Sequence, residues 1–208
     1  RSFFDIGANT GVFSLLACAV NPTVKVTAFE PAPGTFEFLD RNVELNGWGD
    51  RCQLEKKAVS DSIGSAPFHV PNTISASGNS SLDPAGYHGI PGDVITVPVT
   101  TVDAVAEKLG RPDLVKIDVE GFEDKVLQGM AGALGSAQVA LIVECNPDGP
   151  CAEVERILTE FNYSFFHLRA SGAAPMAHIV PDESGKNPNY LCLPQQLADW
   201  RDWPAESV

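Results

Sequence analysis

A buried strand, a tight glycine turn and a helix start follow one another without a gap in Ser2-Phe3-Phe4-Asp5-Ile6-Gly7-Ala8-Asn9-Thr10-Gly11-Val12-Phe13. An apolar run ends in an acid, and a helical apolar pattern begins as soon as the turn is over. Gly7 and Gly11 carry no Cβ, so the backbone there can take positive φ and a ligand can come close to it. The helix opening near Gly11 offers backbone N–H groups with no partner inside the helix. A second strand, Val24-Lys25-Val26-Thr27-Ala28-Phe29, ends in Glu30 before Pro31. An acid about 20 residues past such a turn is where a nucleoside ribose is held by its hydroxyls.

The spacing also selects among nucleosides. A dinucleotide fingerprint needs G-x-G-x-x-G, and counted from Gly7 its second and third glycines fall on Asn9 and Val12. Asp5 is unfavourable beside a pyrophosphate but suits an ammonium group. S-adenosylmethionine (SAM) has a ribose and an amino acid and no phosphate, so it fits where a nicotinamide dinucleotide does not.

Further along, the helical stripe of Phe36, Leu39 and Val43 follows a turn at 31–34, with Thr35 read as its N-cap and Asn46-Gly47 as its end. Residues 52–59 read as a third strand. Strand and helix alternate, as in a parallel sheet with right-handed crossovers. The alternation then breaks. Residues 66–70 and 94–99 form an extended pair, and the stretch 71–93 between them is rich in Ser, Gly, Asn and Pro, the composition of a lid or acceptor loop. Alternation resumes with a capping box at Thr100 and Asp103, a fourth strand ending in Asp118, a helix over Phe122 to Met130, a fifth strand ending in Glu144, and a helix near 150–162. Residues 163–168 and 190–193 are the last strands, forming an antiparallel edge, and 195–208 is a C-terminal tail with a short helix around 197–203. With 208 residues and no internal repeat, the chain reads as one domain, 1–208. Its start one residue before a strand reads as an excerpt of a longer protein.

The net charge of −13 speaks against a nucleic-acid partner, whose affinity comes from Lys and Arg on phosphates. Five cysteines without a C-x-x-C pair suggest thiols in a reducing, cytoplasmic setting. No run has the length of a membrane span and no signal peptide is evident.

In an open α/β sheet, ligands bind beyond the carboxyl ends of the strands. Those ends carry Asp5, Glu30, the Ala58-Val59-Ser60-Asp61 turn, Asp118-Val119-Glu120-Gly121 and Glu144. So many acids on one rim repel unless a cation is bound there, and a sulfonium with an ammonium, or a metal ion, supplies one. Asp118 and Glu120, acting as a base or as oxygen ligands of a hard cation, compete with His88 in the 71–93 stretch for the acceptor chemistry. With no further carboxylate in the turn and no His-x-Asp pair, the metal-free version is preferred.

These residues resemble a known family. Asp5 to Gly11 with Phe13-Ser14, Ala28-Phe29-Glu30-Pro31, Ala58 to Asp61, and Lys116-Ile117-Asp118-Val119-Glu120-Gly121-Phe122-Glu123 are similar to the FkbM family of SAM-dependent methyltransferases; Asn189 to Pro194 resembles its closing strand. The resemblance implies an α/β, class I methyltransferase (Rossmann-like) fold. Its sheet is seven-stranded and mostly parallel, in the order 3-2-1-4-5-7-6, with an antiparallel edge strand. It implies O-methylation of a small molecule, sugar or natural product. The cofactor contacts would be Asp5, Gly7, Ala8, Asn9 and Gly11 on the methionine part, Glu30 on the ribose, and Ala58, Val59 and Asp61 on the adenine. Gly78-Asn79-Ser80-Ser81-Leu82 resembles a Ser-containing piece of the family. The alternatives are a methyltransferase with another acceptor atom, including a nucleic-acid enzyme, a nicotinamide oxidoreductase, and a non-catalytic binding module on the same fold. A nucleic-acid enzyme acting on exocyclic amines should show an Asn/Asp-Pro-Pro-aromatic turn where this chain has Asp118-Val119-Glu120-Gly121.

Overall fold

Hydrophobic alternation along the central strands sets the layers. In β1 (Ser2–Ile6) Phe4 and Ile6 join one buried cluster while Phe3 joins another on the opposite face. The computed structural model describes residues 1–72, 80–84 and 90–197. The first crossover is α1 (Val12–Val20), which leads to β2 (Lys25–Phe29), α2 (Pro33–Leu45) and β3 (Cys52–Glu55). After the excursion come α3 (Val102–Leu109), β7 (Leu114–Ile117), α4 (Glu123–Gln128), α5 (Ala131–Gly135), β8 (Ala140–Glu144) and α6 (Cys151–Glu160). The chain closes with β9 (Tyr163–Arg169), β10 (Gly172–Met176) and β11 (Asn189–Pro194). The intervening β4 (Ala58–Val59), β5 (Gly64–Pro71) and β6 (Gly92–Thr100) lie in a separate sheet.

The main sheet has the order β10-β9-β11-β8-β7-β1-β2-β3. Strands β3, β2, β1, β7 and β8 are parallel, and β11 runs antiparallel to both β8 and β9. Without β10 this is the expected 3-2-1-4-5-7-6 order, so the alternating pattern and the closing antiparallel strand are as read. The sheet has eight strands rather than seven, because the chain turns back after Arg169 and adds β10 at the edge. Gly172-Ala-Ala-Pro-Met lacks strand-like patterning, and Pro175 is tolerated because an edge strand can forgo one donor.

The expected third strand over 52–59 is cut in two. It leaves the main sheet at Lys56-Lys57, and Ala58–Val59 pairs in parallel with β6. The extended pair of the sequence reading is confirmed as the antiparallel β5–β6 ribbon, which with β4 makes a three-stranded sheet. Two helix starts also differ. Ala32, not Thr35, is the N-cap of α2, with Pro33 in its first turn. Thr101 caps α3 through the Ala104 N–H, and Asp103 instead accepts from Gly132 and Ala133 at the start of α5. The tail is described only as far as a 3-10 turn at Gln195–Leu197, and the rest of it lies outside the described residues. Among the described residues no helix is long and apolar enough to cross a membrane, and all five cysteines are free and buried.

Candidate active site

Two turns meet at the carboxyl ends of β1 and β7. The first leaves β1 through Gly7, whose φ is +75° and whose N–H, like that of Ala8, donates to the Phe29 carbonyl (3.1 and 2.9 Å). Asn9 follows at φ +51°, and its N–H donates to Glu30 Oε2 at 3.0 Å. The other Glu30 oxygen accepts the Ala32 N–H at 2.8 Å. The carboxyl is thereby fixed between two turns, facing the space above β1 and β2. Burial pushes its pKa up to about 7 against the pull of those two amides.

Gly7 is needed because a Cβ there would stand 1.8 Å from the Asp118 carbonyl oxygen. Gly11 serves another purpose than the one expected of it. It is the left-handed N-cap of α1, and a Cβ on it would meet Leu39 Cδ1 at 2.6 Å, so it lets α1 pack on α2 and does not line the cleft. Asp5 also departs from expectation. It shares parity with Phe3 and so points under α1, fully buried, where Ser14 Oγ donates to its Oδ2 at 2.6 Å and its Oδ1 has no partner. Burial raises its pKa, with the Ser14 bond opposing.

The second turn follows β7. Val115 and Ile117 face the larger core, which puts Lys116 on the α1 side with Asp5 as its register partner on β1. The buried Lys116 ammonium lies 2.5 Å from Asp118 Oδ2 and 4.5 Å from the centre of the Phe13 ring. Glu120 takes φ +54° and Gly121 φ +94°. Glu123 Oε1 accepts from both the Val119 and Gly121 N–H groups at 3.2 Å, so a buried side chain holds the turn from inside. Glu144, from the end of β8, joins this turn: one oxygen each of Asp118, Glu120 and Glu144 lie within 4.8 Å of one another. Burial, then the negative charges of Asp118 and Glu123, pushes Glu120 up to about 8. Burial and a hydrogen bond to Asp118 raise Glu144 well above the usual carboxylate range.

The two turns share one cleft of about 740 Å³, open mouth included. Gly7, Asn9 and Glu30 line it with Ala58 and Val59 on the β2 side, Asp118 and Glu120 line it on the β7 side, and Phe68, Ser80 and Leu82 close it from the smaller sheet. Of the residues read as site residues, Asp5, Ala8, Gly11 and Asp61 are absent from this lining: Asp5 and Ala8 are buried behind it, and Asp61 is exposed beyond it. His88 lies outside the described residues, as does most of the 71–93 stretch. Lys57, Glu144, Lys116 and Glu123 are additions. Glu144 was visible as a strand-end acid, whereas Glu123 and Lys116 act through burial, which no spacing announces.

Known proteins resemble this chain in sequence and in fold. Residues 5–165 match the family model described as the methyltransferase FkbM domain. The hexuronic acid methyltransferase AglP of Haloferax volcanii is 32% identical over 163 residues, 77% of this chain and 62% of its own length. The 31-O-demethyl-FK506 methyltransferase FkbM of Streptomyces tacrolimicus is 31% identical over 185 residues, 74% of this chain and 69% of its own. The crystal structure of methyltransferase FkbM from Methylobacillus flagellatus aligns with a TM-score of 0.57 at 14% identity, over 92% of this chain and 43% of that one. The B. subtilis m1A22 tRNA methyltransferase TrmK aligns with a TM-score of 0.52 at 13% identity, over 97% and 63%. At such identities the two structures share the fold with this chain.

Proposed function

Because the chain belongs to the FkbM methyltransferase family, we propose that it transfers a methyl group from SAM to a hydroxyl of a small-molecule or sugar acceptor. The observation that carries this reading is the meeting of a nucleoside-type half, Gly7, Asn9 and Glu30, with an acidic half, Asp118, Glu120 and Glu144, in a single cleft. The names of the hexuronic acid and FK506 relatives support a sugar or natural-product acceptor.

The residues present fit SAM. Glu30 would accept from the ribose hydroxyls, and Ala58 and Val59 would flank the adenine. The Gly7–Asn9 turn would hold the methionine end. When bound, SAM supplies a methyl carbon already activated by its positive sulfur. The protein then has two tasks, to align the acceptor oxygen opposite the sulfur and to take one proton.

Asp118, paired with Lys116, is the group we assign to the acceptor proton. With SAM bound, Asp118 would accept the hydroxyl proton as the acceptor oxygen takes the methyl group. Glu120 and Glu144, which hold their own protons near neutral pH, donate hydrogen bonds rather than compete for it. The Lys116 ammonium and those protons offset the gathered acids, which supports a metal-free reaction. His88 remains the alternative base.

Calorimetric titration with SAM, followed by incubation with methyl-labelled SAM and a panel of uronic acids, glycosides and polyketide alcohols, tests the proposal. The expected result is micromolar SAM binding and one labelled methyl on an acceptor oxygen, unaffected by a chelator. Absence of SAM binding by the folded protein would overturn the reading, and restoration of chelated enzyme by Mg²⁺ would overturn its metal-free form.

A further inference from the structure

Among the described residues, the Ser81 side chain fastens the excursion between β5 and β6 to the acidic turn. Ser81 is completely buried, and its backbone exchanges both hydrogen bonds with His69 of β5 (2.8 and 3.1 Å). Gly92 on β6 makes room for this join, since a Cβ there would lie 2.4 Å from His69 Nε2. The Ser81 hydroxyl has a single proton, and its bonds are ordered: Oγ accepts from the Asp83 N–H at 3.3 Å and donates to the Glu120 carbonyl at 2.9 Å.

That carbonyl belongs to the residue of the turn with the most to lose. Glu120 has a Cβ and sits at φ +54°, where such residues persist only if their surroundings over-determine them. The turn is held from within on either side of Glu120, because the Val119 and Gly121 N–H groups both reach Glu123. Ser81 holds the Glu120 carbonyl from the opposite side, and its neighbours Ser80 and Leu82 line the cleft.

We propose that Ser81 is a positioning residue for the acceptor side of the site: its bond to the Glu120 carbonyl keeps Glu120 in the left-handed conformation that turns its carboxyl into the cleft beside Asp118 and Glu144. The acceptor side is then assembled from two sheets and is complete only when residues 80–84 are docked. The functional consequence rests on the methyltransferase reading above, whereas the geometry does not.

The test reads the Glu120 carboxyl directly, by carbon NMR of glutamate-labelled, ligand-free protein across pH. In the wild type this carboxyl titrates at about 8, with Asp118, Glu123 and Glu144 as the acids facing it and Lys116 as the cation. In Ser81→Ala the midpoint moves down towards the ordinary 4.5 as the carboxyl turns out to water, while buried groups far from the turn keep their shifts. A loss of kcat of about 10- to 100-fold with SAM affinity unchanged accompanies it. Should Ser81→Ala not fold, Ser81→Cys keeps the volume and weakens the donor, and the same downward move is expected. An unchanged Glu120 midpoint in either folded variant overturns the inference whatever the turnover. Full turnover by Glu120→Gln would instead remove Glu120 from the chemistry and leave the NMR result standing.

Discussion

At Gly7 the obstacle to any side chain is backbone: a Cβ would stand 1.8 Å from the Asp118 carbonyl oxygen, at φ +75°. No rotamer relieves that clash, so Gly7→Ala must push the β1 and β7 turns apart. We expect SAM affinity to fall by more than about 100-fold, because misplacement near an ångström has costs of that order. Calorimetry on the folded variant checks it. Gly11→Ala makes the contrast. Its new methyl meets the end of the Leu39 side chain, which can move, and its φ of +93° costs about 1–2 kcal/mol in stability. A lower melting temperature with SAM affinity within a few-fold of wild type is the expected outcome, and equal loss of binding in both variants would return Gly11 to the site. Glu30 combines both kinds of role, since it satisfies the Asn9 and Ala32 N–H groups and faces the cleft. Glu30→Ala strands two donors and removes the ribose acceptor, so the melting temperature and SAM affinity should fall together, the latter by about 10- to 100-fold. Unaltered affinity in a folded variant would take Glu30 out of the site.

Among the elements, α1 over Val12–Val20 was found where its apolar period put it, whereas the single helix read over Phe122 to Met130 breaks at Gly129, the C-cap of α4, and α5 follows as a separate helix. The strand-end rule likewise placed Glu30, Asp118 and Glu120 on one rim. What could not be read was pairing decided by distant chain. Residues 52–59 look like one strand because burial is alternating and local, yet Ala58–Val59 is captured by β6, some forty residues later in sequence. Asp103 has the spacing of a capping-box acid, but the N–H groups of Gly132 and Ala133 were invisible to that pattern. Asp5 ends an apolar run as a ligand-binding acid would, and only its parity with Phe3 decides that it turns under α1. The Asp103 bonds give a prediction at this level. Asp103→Ala should leave α3 capped by Thr101 and uncap α5, lowering stability by about 1–2 kcal/mol, as lost helix caps do. Urea unfolding measures it, and a change confined within about 0.3 kcal/mol would mean that water replaces the carboxylate at no cost.

Across the whole molecule, the acids gathered at one rim make the fold sensitive to pH in an uncommon direction. Glu30, at about 7, and Glu120, at about 8, both lie above their ordinary 4.5, and Glu144 lies higher still, in each case chiefly through burial. The folded state therefore keeps these protons after the unfolded chain has released them. A group raised in this way contributes stability that is fully present below about 4.5 and is lost as pH rises through its folded value. The net charge of −13 adds general repulsion in the same direction. Unfolding by urea should thus show stability falling between about pH 5 and pH 8, where many proteins are flat or at their maximum. Glu144→Gln should flatten the upper part of that decline, since it removes a proton-holding acid while keeping the shape of the side chain. SAM carries a sulfonium and an ammonium, so its binding meets the same carboxylates once they ionise, and the stabilisation it confers should grow with pH over this window. Melting temperatures with and without SAM at about pH 6 and pH 8.5 separate the outcomes. A stabilisation that shrinks with pH would mean that the acid rim serves the acceptor alone and plays no part in holding the cofactor's charge.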